Sequence, residues 1–191
     1  VEAAGYQVVM TGSDHLTGTD RLWEVATKVP ADIYVNVQGD EPMVDPADIR
    51  NIADVKRRFP EYIVNGMCDL APDEDPANVN IPKVLVSASN KLIYMSRLPV
   101  PGIKRHGAIV PTYKKQVCIY AFSYEDLKAF GACTEKAEYE FFEDIEILRF
   151  FDLGIPIQMV ETAGASLAVD IPEDVTHVEE AMRQRLGVPD R

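Results

Sequence analysis

No apolar run in this chain approaches the roughly 18 residues that a membrane-spanning helix needs. The three cysteines, Cys68, Cys118 and Cys133, are far apart and odd in number, and no C-x-x-C occurs. That argues against a zinc site or a disulfide framework and leaves free thiols in a reducing cytosol as the expectation. The opening "VEAAGYQVVM" lacks a basic n-region and a cleavage site, so no secretory leader is expected. Internal repeats and low-complexity stretches are missing too. Between Pro76 and Tyr124 there is no Asp or Glu at all.

That acid-free segment carries Lys83, Lys91, Arg97, Lys104, Arg105, Lys114 and Lys115. The whole chain nevertheless has a net charge of −12, which would repel DNA or RNA overall. The basic island is either a surface paired with acidic helices or another subunit, or a site for a small anion.

Enough remains for one domain. The 191 residues are 47% hydrophobic and 26% charged, ordinary for a globular α/β protein. "VEAAG" reads as the end of a helix with a Gly C-cap, followed by a strand at Tyr6–Met10. Leu22, Val25, Ala26 and Val29 recur at helical spacing, which predicts a helix over Thr19–Val29. A strand follows at Ile33–Val37. Asp45 and Pro46 form an N-cap and N1 pair for a helix through about Arg57. Strands are expected at Tyr62–Leu70, at Lys83–Ser87 and Lys91–Ser96 as a hairpin, and at Gln116–Ser123. A short helix follows over Tyr124–Phe130. Residues 137–154 read as one helix, with Phe142, Ile145, Leu148 and Phe151 or Asp152 on its recurring positions. Strands at Ile155–Thr162 and Ser166–Asp170 precede a last helix from Glu173 to about Leu186, with Val175, Val178, Met182 and Leu186 facing inward. The alternation favours α/β architecture: a mostly parallel sheet sandwiched by helices. The segment about 83–123 interrupts it as an inserted β-rich lobe within the single domain 1–191.

Candidate chemistry sits at the ends of strands. In open α/β sheets, ligands bind beyond the strands' carboxyl ends. "VNVQGDEP" places Asp40 and Glu41 there, and hard carboxylate oxygens suit Mg²⁺ together with phosphate oxygens and water. The plainer reading is a polar turn. Asp170 ends "SLAVD" and could share one Mg²⁺ site, or serve only as an N-cap. His15 reads as a turn residue and His177 as a solvated helix residue. "TEKAEYEFFED" reads mostly as a solvated acidic face. "SDH" is a neighbourhood in sequence, not a hydrolytic triad.

"VNVQGDEPMVDPADI" resembles, almost residue for residue, the central motif of the 3-deoxy-manno-octulosonate (Kdo) cytidylyltransferases. In the family's order come "TGSDHLTGTDRLWEVA", "IPKVLVSASNKLIYMSRLPVP", "VCIYAF" and "AVDIPEDV". The resemblance covers nearly the whole chain. It implies a nucleotide-diphospho-sugar-transferase-like fold, usually homodimeric, in the cytoplasm. The implied reaction joins CTP and an ulosonic acid to give a CMP-sugar and pyrophosphate, for bacterial lipopolysaccharide or surface glycan. By position it implies Asp40 and Asp170 as Mg²⁺ ligands and Arg97 near the sugar or its carboxylate, with Lys83. Gln38 and Tyr120 would face the sugar, and Thr17, Gly18 and Arg21 the nucleotide.

Three departures stand out. The family's opening strand and phosphate-gripping loop have no counterpart in this sequence, so the chain as it stands is expected to bind CTP poorly. Gln116 and Cys118 stand where the family has His and Gly. "IEILR" keeps Glu146 but replaces the family's Gln by Ile147. The expected sugar is therefore Kdo or a related ulosonic acid. The alternatives are a nucleotidyltransferase or glycosyltransferase of the same fold using another nucleotide, or a non-catalytic homologue that dimerises or binds sugar.

Overall fold

A computed structural model describes residues 1–104, 111–163, 167, 169, 171, 172 and 174–187. In chain order the elements are α1 (Gly18–Lys28), β1 (Tyr34–Val37), α2 (Pro46–Arg58), β2 (Ile63–Asp69), β3 (Lys83–Val86), β4 (Leu92–Ser96) and β5 (Lys114–Phe122). Then follow α3 (Tyr124–Gly131), α4 (Glu138–Glu143), α5 (Arg149–Asp152), β6 (Ile157–Glu161) and α6 (Asp174–Leu186).

Local chemistry accounts for most of the helix starts. Thr17 caps α1 by accepting from the Asp20 N–H, and Asp45 caps α2 by accepting from the Ala47 N–H. Ser123 and Asp126 form a reciprocal capping box at α3. α1 and α3 cross closely. A Cβ placed on Gly131 would lie 2.0 Å from Trp23 Cδ1, so only glycine fits that crossing.

The six strands form one sheet in the order β4-β3-β5-β2-β6, with β1 also paired to β5. The α/β class and the flanking helices match the sequence reading, but the sheet is mixed rather than mostly parallel. β2 and β6 pair in parallel. β5 runs antiparallel to β1, β2 and β3, and β3 and β4 form an antiparallel hairpin. The alternation of strand and helix does give β1, β2 and β6 one common direction. A strand from much later in the chain, β5, is slotted between β1 and β2 against that direction. The region expected as a lobe over about 83–123 is thus built into the main sheet.

Each strand sends alternate residues to opposite faces. Ile63, Met67, Tyr120 and Phe122 pack with Ala26 of α1, Leu127 and Phe130 of α3, and Phe150 of α5. Val64, Cys68, Val117, Ile119 and Ala121 pack against Ile52 and Val55 of α2 on the other face. Burial raises the Cys68 thiol to about 11, so it is a protonated core group.

Several expected elements differ. A 3₁₀ turn at Glu2–Ala4 ends on Gly5 with φ 83, as the Gly cap predicted. The expected strand at Tyr6–Met10 does not form, and Tyr6 and Met10 are exposed. The chain just beyond is held by side chains of α1 instead of a backbone ladder. Lys28 donates to Met10 O, Arg21 donates to Thr11 Oγ1 and Gly12 O, and Glu24 accepts from the Gly12 N–H and pairs with His15.

The single helix expected over 137–154 is broken. Asp144 has φ 50, which ends α4, and a 3₁₀ turn at Glu146–Leu148 leads into α5. Phe142 is therefore exposed, while Ile147 and Phe150 are buried. Of the four residues expected to face inward from α6, only Val178 is buried. Of Ser166–Asp170, only Leu167 and Val169 are described, and neither is in a strand.

Candidate active site

The broken helix brings four parts of the chain to one cavity of about 700 Å³. These are the N-terminus of α1, the carboxyl end of β1, the middle of β5 and the segment 144–146, and Arg97, just after β4, joins them. Thr17, Gly18, Gln38, Asp40, Arg97, Gln116, Tyr120 and Glu146 all line it. Eight of the residues singled out from the sequence thus share one wall.

Glu146 is the hub. Its Oε2 accepts from the Thr19 N–H at 3.0 Å, and its Oε1 accepts from Gln38 Nε2 at 3.2 Å. One carboxylate therefore ties the first turn of α1 to the end of β1. Gly18 lies between them: a Cβ there would sit 3.6 Å from Glu146 Oε2 and 3.9 Å from Gln38 Nε2.

Asp40 is exposed, and its carbonyl accepts from the Val169 N–H at 2.8 Å. Asp170 lies outside the described residues, as does His106. Glu41, one residue on from Asp40, is buried, and its Oε1 accepts from the Cys118 N–H at 2.9 Å. It braces the turn after β1 against β5, which is a structural role. Burial, with Glu41 beside it, holds the Cys118 thiol well above its ordinary value, so it stays protonated. Tyr120 is 2% exposed, and burial followed by the nearby Cys118 and Glu146 keeps its phenol neutral.

Gln116 donates from Nε2 to Asn65 Oδ1 at 3.0 Å. Asn65 is fully buried at the β-bulge where β2 slips against β5, and its Nδ2 donates to both Val117 O and Ile119 O. Nothing in the sequence pattern marked Asn65. Only the pairing of β2 with β5, some fifty residues apart, gives it its partners.

Arg97 closes another side. Its guanidinium donates to Glu143 O, to Val79 O at 2.9 Å and to Asp144 O at 2.8 Å. The contacts to Glu143 O and Asp144 O satisfy carbonyls freed where α4 ends. A guanidinium has five N–H donors, so two remain for a ligand among the described residues.

Two expected site residues lie elsewhere. Lys83 is fully buried, is absent from the cavity wall and donates to Asn78 O at 2.7 Å. Burial, with Arg97 nearby, lowers its pKa. Arg21 holds Thr11 and Gly12 on the outer side of α1. Among the described residues the basic island does not pair with acidic helices: its ion-pair partners lie in strands β2 and β6 and in a loop. Lys114 pairs with Asp69 and Glu161, and Lys115 with Glu74, while Lys115 and Arg97 also border the cavity.

Behind the wall is a buried charge cluster that the sequence reading missed. Arg149 donates to both oxygens of Asp20, to both oxygens of Glu140 and to Phe130 O. Burial opposes its charge, but Glu140 and Asp20 more than compensate and raise its pKa. Asp20 also accepts from the Thr17 hydroxyl at 2.8 Å. Glu140 sits in the stretch expected to be a solvated acidic face.

The wall is acidic in sum. Among the described residues, Asp40, Glu41, Glu74, Asp144, Glu146 and Asp174 share it with three cations, Arg97, Lys115 and Lys136. Among the described residues, no cluster of three or more His, Cys, Asp or Glu is arranged to hold a metal by itself. An anionic ligand in such a wall needs a cation brought with it.

Strand-end carboxylates, a helix N-terminus and paired amides around one cavity define a nucleotide-handling site in an α/β domain. A family model for cytidylyltransferases matches residues 1–157, and the chain is a nucleotidyltransferase of that class. More narrowly, it belongs to the 3-deoxy-manno-octulosonate cytidylyltransferase family. It is 37% identical over 187 residues to that enzyme of Escherichia coli, covering 98% of this chain and 75% of the relative. With the same enzyme of Acaryochloris marina it shares 36% over 187 residues, covering 96% and 75%. It also superposes on CMP:2-keto-3-deoxy-manno-octonic acid synthetase complexed with CTP, with a TM-score of 0.87 and 35% identity, covering 97% of this chain and 76% of that one. An inositol-1-phosphate CTP transferase from T. maritima, at 16% identity and a TM-score of 0.57, shares the fold alone.

Proposed function

We propose that this chain transfers CMP from CTP to the anomeric hydroxyl of Kdo or a closely related ulosonic acid, releasing pyrophosphate, in the cytoplasm. The observation that carries the reading is the single cavity in which Gln38, Asp40, Arg97, Gln116, Tyr120 and Glu146 meet the N-terminus of α1. Its volume suits a small-molecule site.

The chain's own residues supply placement. Thr17 and Gly18, at the start of α1, face the nucleotide. The two free N–H groups of Arg97 take the sugar's carboxylate. Gln38, Gln116 and Tyr120 orient its hydroxyls. Holding the attacking hydroxyl near the α-phosphorus, with charge neutralised around it, accounts for most of such a displacement.

The donor set fits Mg²⁺. Asp40 offers exposed hard oxygens in a wall with an excess of carboxylates, and Asp170 is the proposed second ligand. When bound, the ion would neutralise phosphate charge. A homodimer belongs to the same proposal, drawn from the family resemblance.

The test is pyrophosphate release from CTP, Mg²⁺ and Kdo by a form that carries the family's opening strand and phosphate-gripping loop ahead of this chain, with UTP, GTP and ATP as comparisons. Release with CTP and an ulosonic acid is expected. No release with any ulosonic acid would sink the proposal, and turnover with another nucleotide in preference to CTP would replace it with the same-fold alternative.

A further inference from the structure

Two amides in the cavity wall are turned the same way, each by a different partner. Asn65 has no freedom of orientation. Both hydrogens of its Nδ2 go to backbone carbonyls, those of Val117 and Ile119, at 2.9 Å each. Turning it over would aim its oxygen at two oxygens in a fully buried site. Its Oδ1 must therefore accept, so Gln116 must present Nε2 to it. Gln38 faces the same constraint from Glu146. An ionised carboxylate only accepts, and Gln38 gives it Nε2. In each glutamine the Oε1 is left with no protein partner among the described residues. Both side chains line the cavity.

We infer that the sugar subsite reads hydrogen-bond donors: Asn65 and Glu146 lock Gln116 and Gln38 so that each offers its carbonyl oxygen to the ligand. This rests on the proposed function and sharpens its substrate class. The acid must carry a hydroxyl or a protonated amine opposite each amide oxygen. A group that only accepts, such as fluoride, a keto oxygen or a methyl ether, leaves that oxygen buried without a partner. Asn65 is a positioning residue here, acting through Gln116.

The selectivity differs from that of a cationic or mobile side chain at position 116. A lysine would reward acceptors, and an unlocked glutamine would turn to suit either kind of group. Of these three, the locked amide is the one that favours donors and penalises acceptors at one point on the sugar.

The experiment measures kcat/KM with CTP for Kdo and for analogues in which one hydroxyl at a time becomes hydrogen, fluorine or amine. At two positions the fluoro analogue should lose about tenfold or more, as much as the deoxy analogue, while the amine keeps most of the rate. Gln116→Leu should erase the difference at one position and Gln38→Leu at the other. Asn65→Ala frees the Gln116 amide to turn, so the penalty for fluorine should shrink at the position that Gln116 reads. Lost stability alone would leave that ratio where it was. The analogue series on the unmodified protein stands even if a variant fails to fold. Fluorine tolerated as well as hydroxyl at every position would overturn the inference and leave the proposed function intact. No turnover with any ulosonic acid would overturn both.

Discussion

Arg149 and Arg97 both bond to the stretch around the break after α4, and they spend their donors differently. Arg149 uses all five N–H groups on protein, on Asp20, Glu140 and Phe130 O. Its guanidinium also stacks 3.8 Å over the Phe130 ring. Arg97 uses three, all on backbone carbonyls, beside a cavity. The same contrast separates their surroundings. Around Arg149 the polar atoms are matched within the protein. In the cavity that Arg97 borders, the glutamines each keep an oxygen without a protein partner among the described residues, and Asp40 keeps an exposed carboxylate. Saturation marks scaffold, and atoms left over mark the site.

The largest effect should come from breaking the saturated side. Arg149→Met leaves Asp20 and Glu140 buried without their cation. Stability should fall by about 3–5 kcal/mol, read from urea unfolding in the cold. An unchanged midpoint would mean that the cluster is not scaffold. Arg97→Lys should separate the two roles more finely. Lysine keeps the charge but loses the planar fork that spans three carbonyls. Stability should drop by only about 1–2 kcal/mol. KM for the sugar acid should rise about tenfold while KM for CTP holds, since one lost charge-assisted bond is worth about that much. A stability loss as large as that of Arg149→Met, with KM unmoved, would place Arg97 with the scaffold and erase the contrast.

The sequence announced the parts governed by neighbouring residues. Asp45 with Pro46, Ser123 with Asp126, and the amphipathic spacing of α1 each state a helix start or face locally. "VNVQGDEP" put Asp40 at a strand's end, and the structure places it in the cavity wall. What stayed hidden depends on distant partners. β5 enters between β1 and β2 from some eighty residues away, so alternation alone suggested a mostly parallel sheet. The apolar spacing of 137–154 reads as one helix because nothing within it shows Arg97 waiting for the carbonyls of Glu143 and Asp144. Glu140 looks solvated until Arg149 folds back onto it. Lys83 looks like a ligand for an anion until burial ties it to Asn78 O. Glu41, next to Asp40 in sequence, differs from it in being buried and accepting from the Cys118 N–H.

Asp40 carries the central claim, because its carboxylate is exposed in the cavity while its backbone alone ties the turn to Val169. The direct measurement is pyrophosphate release from CTP, Mg²⁺ and Kdo by Asp40→Asn, with thermal unfolding of the same sample. The account predicts a rate at least about 100-fold lower with the melting transition unmoved. Turnover at the unmodified rate would contradict it, and so would a collapse of the fold that put Asp40 among the saturated groups.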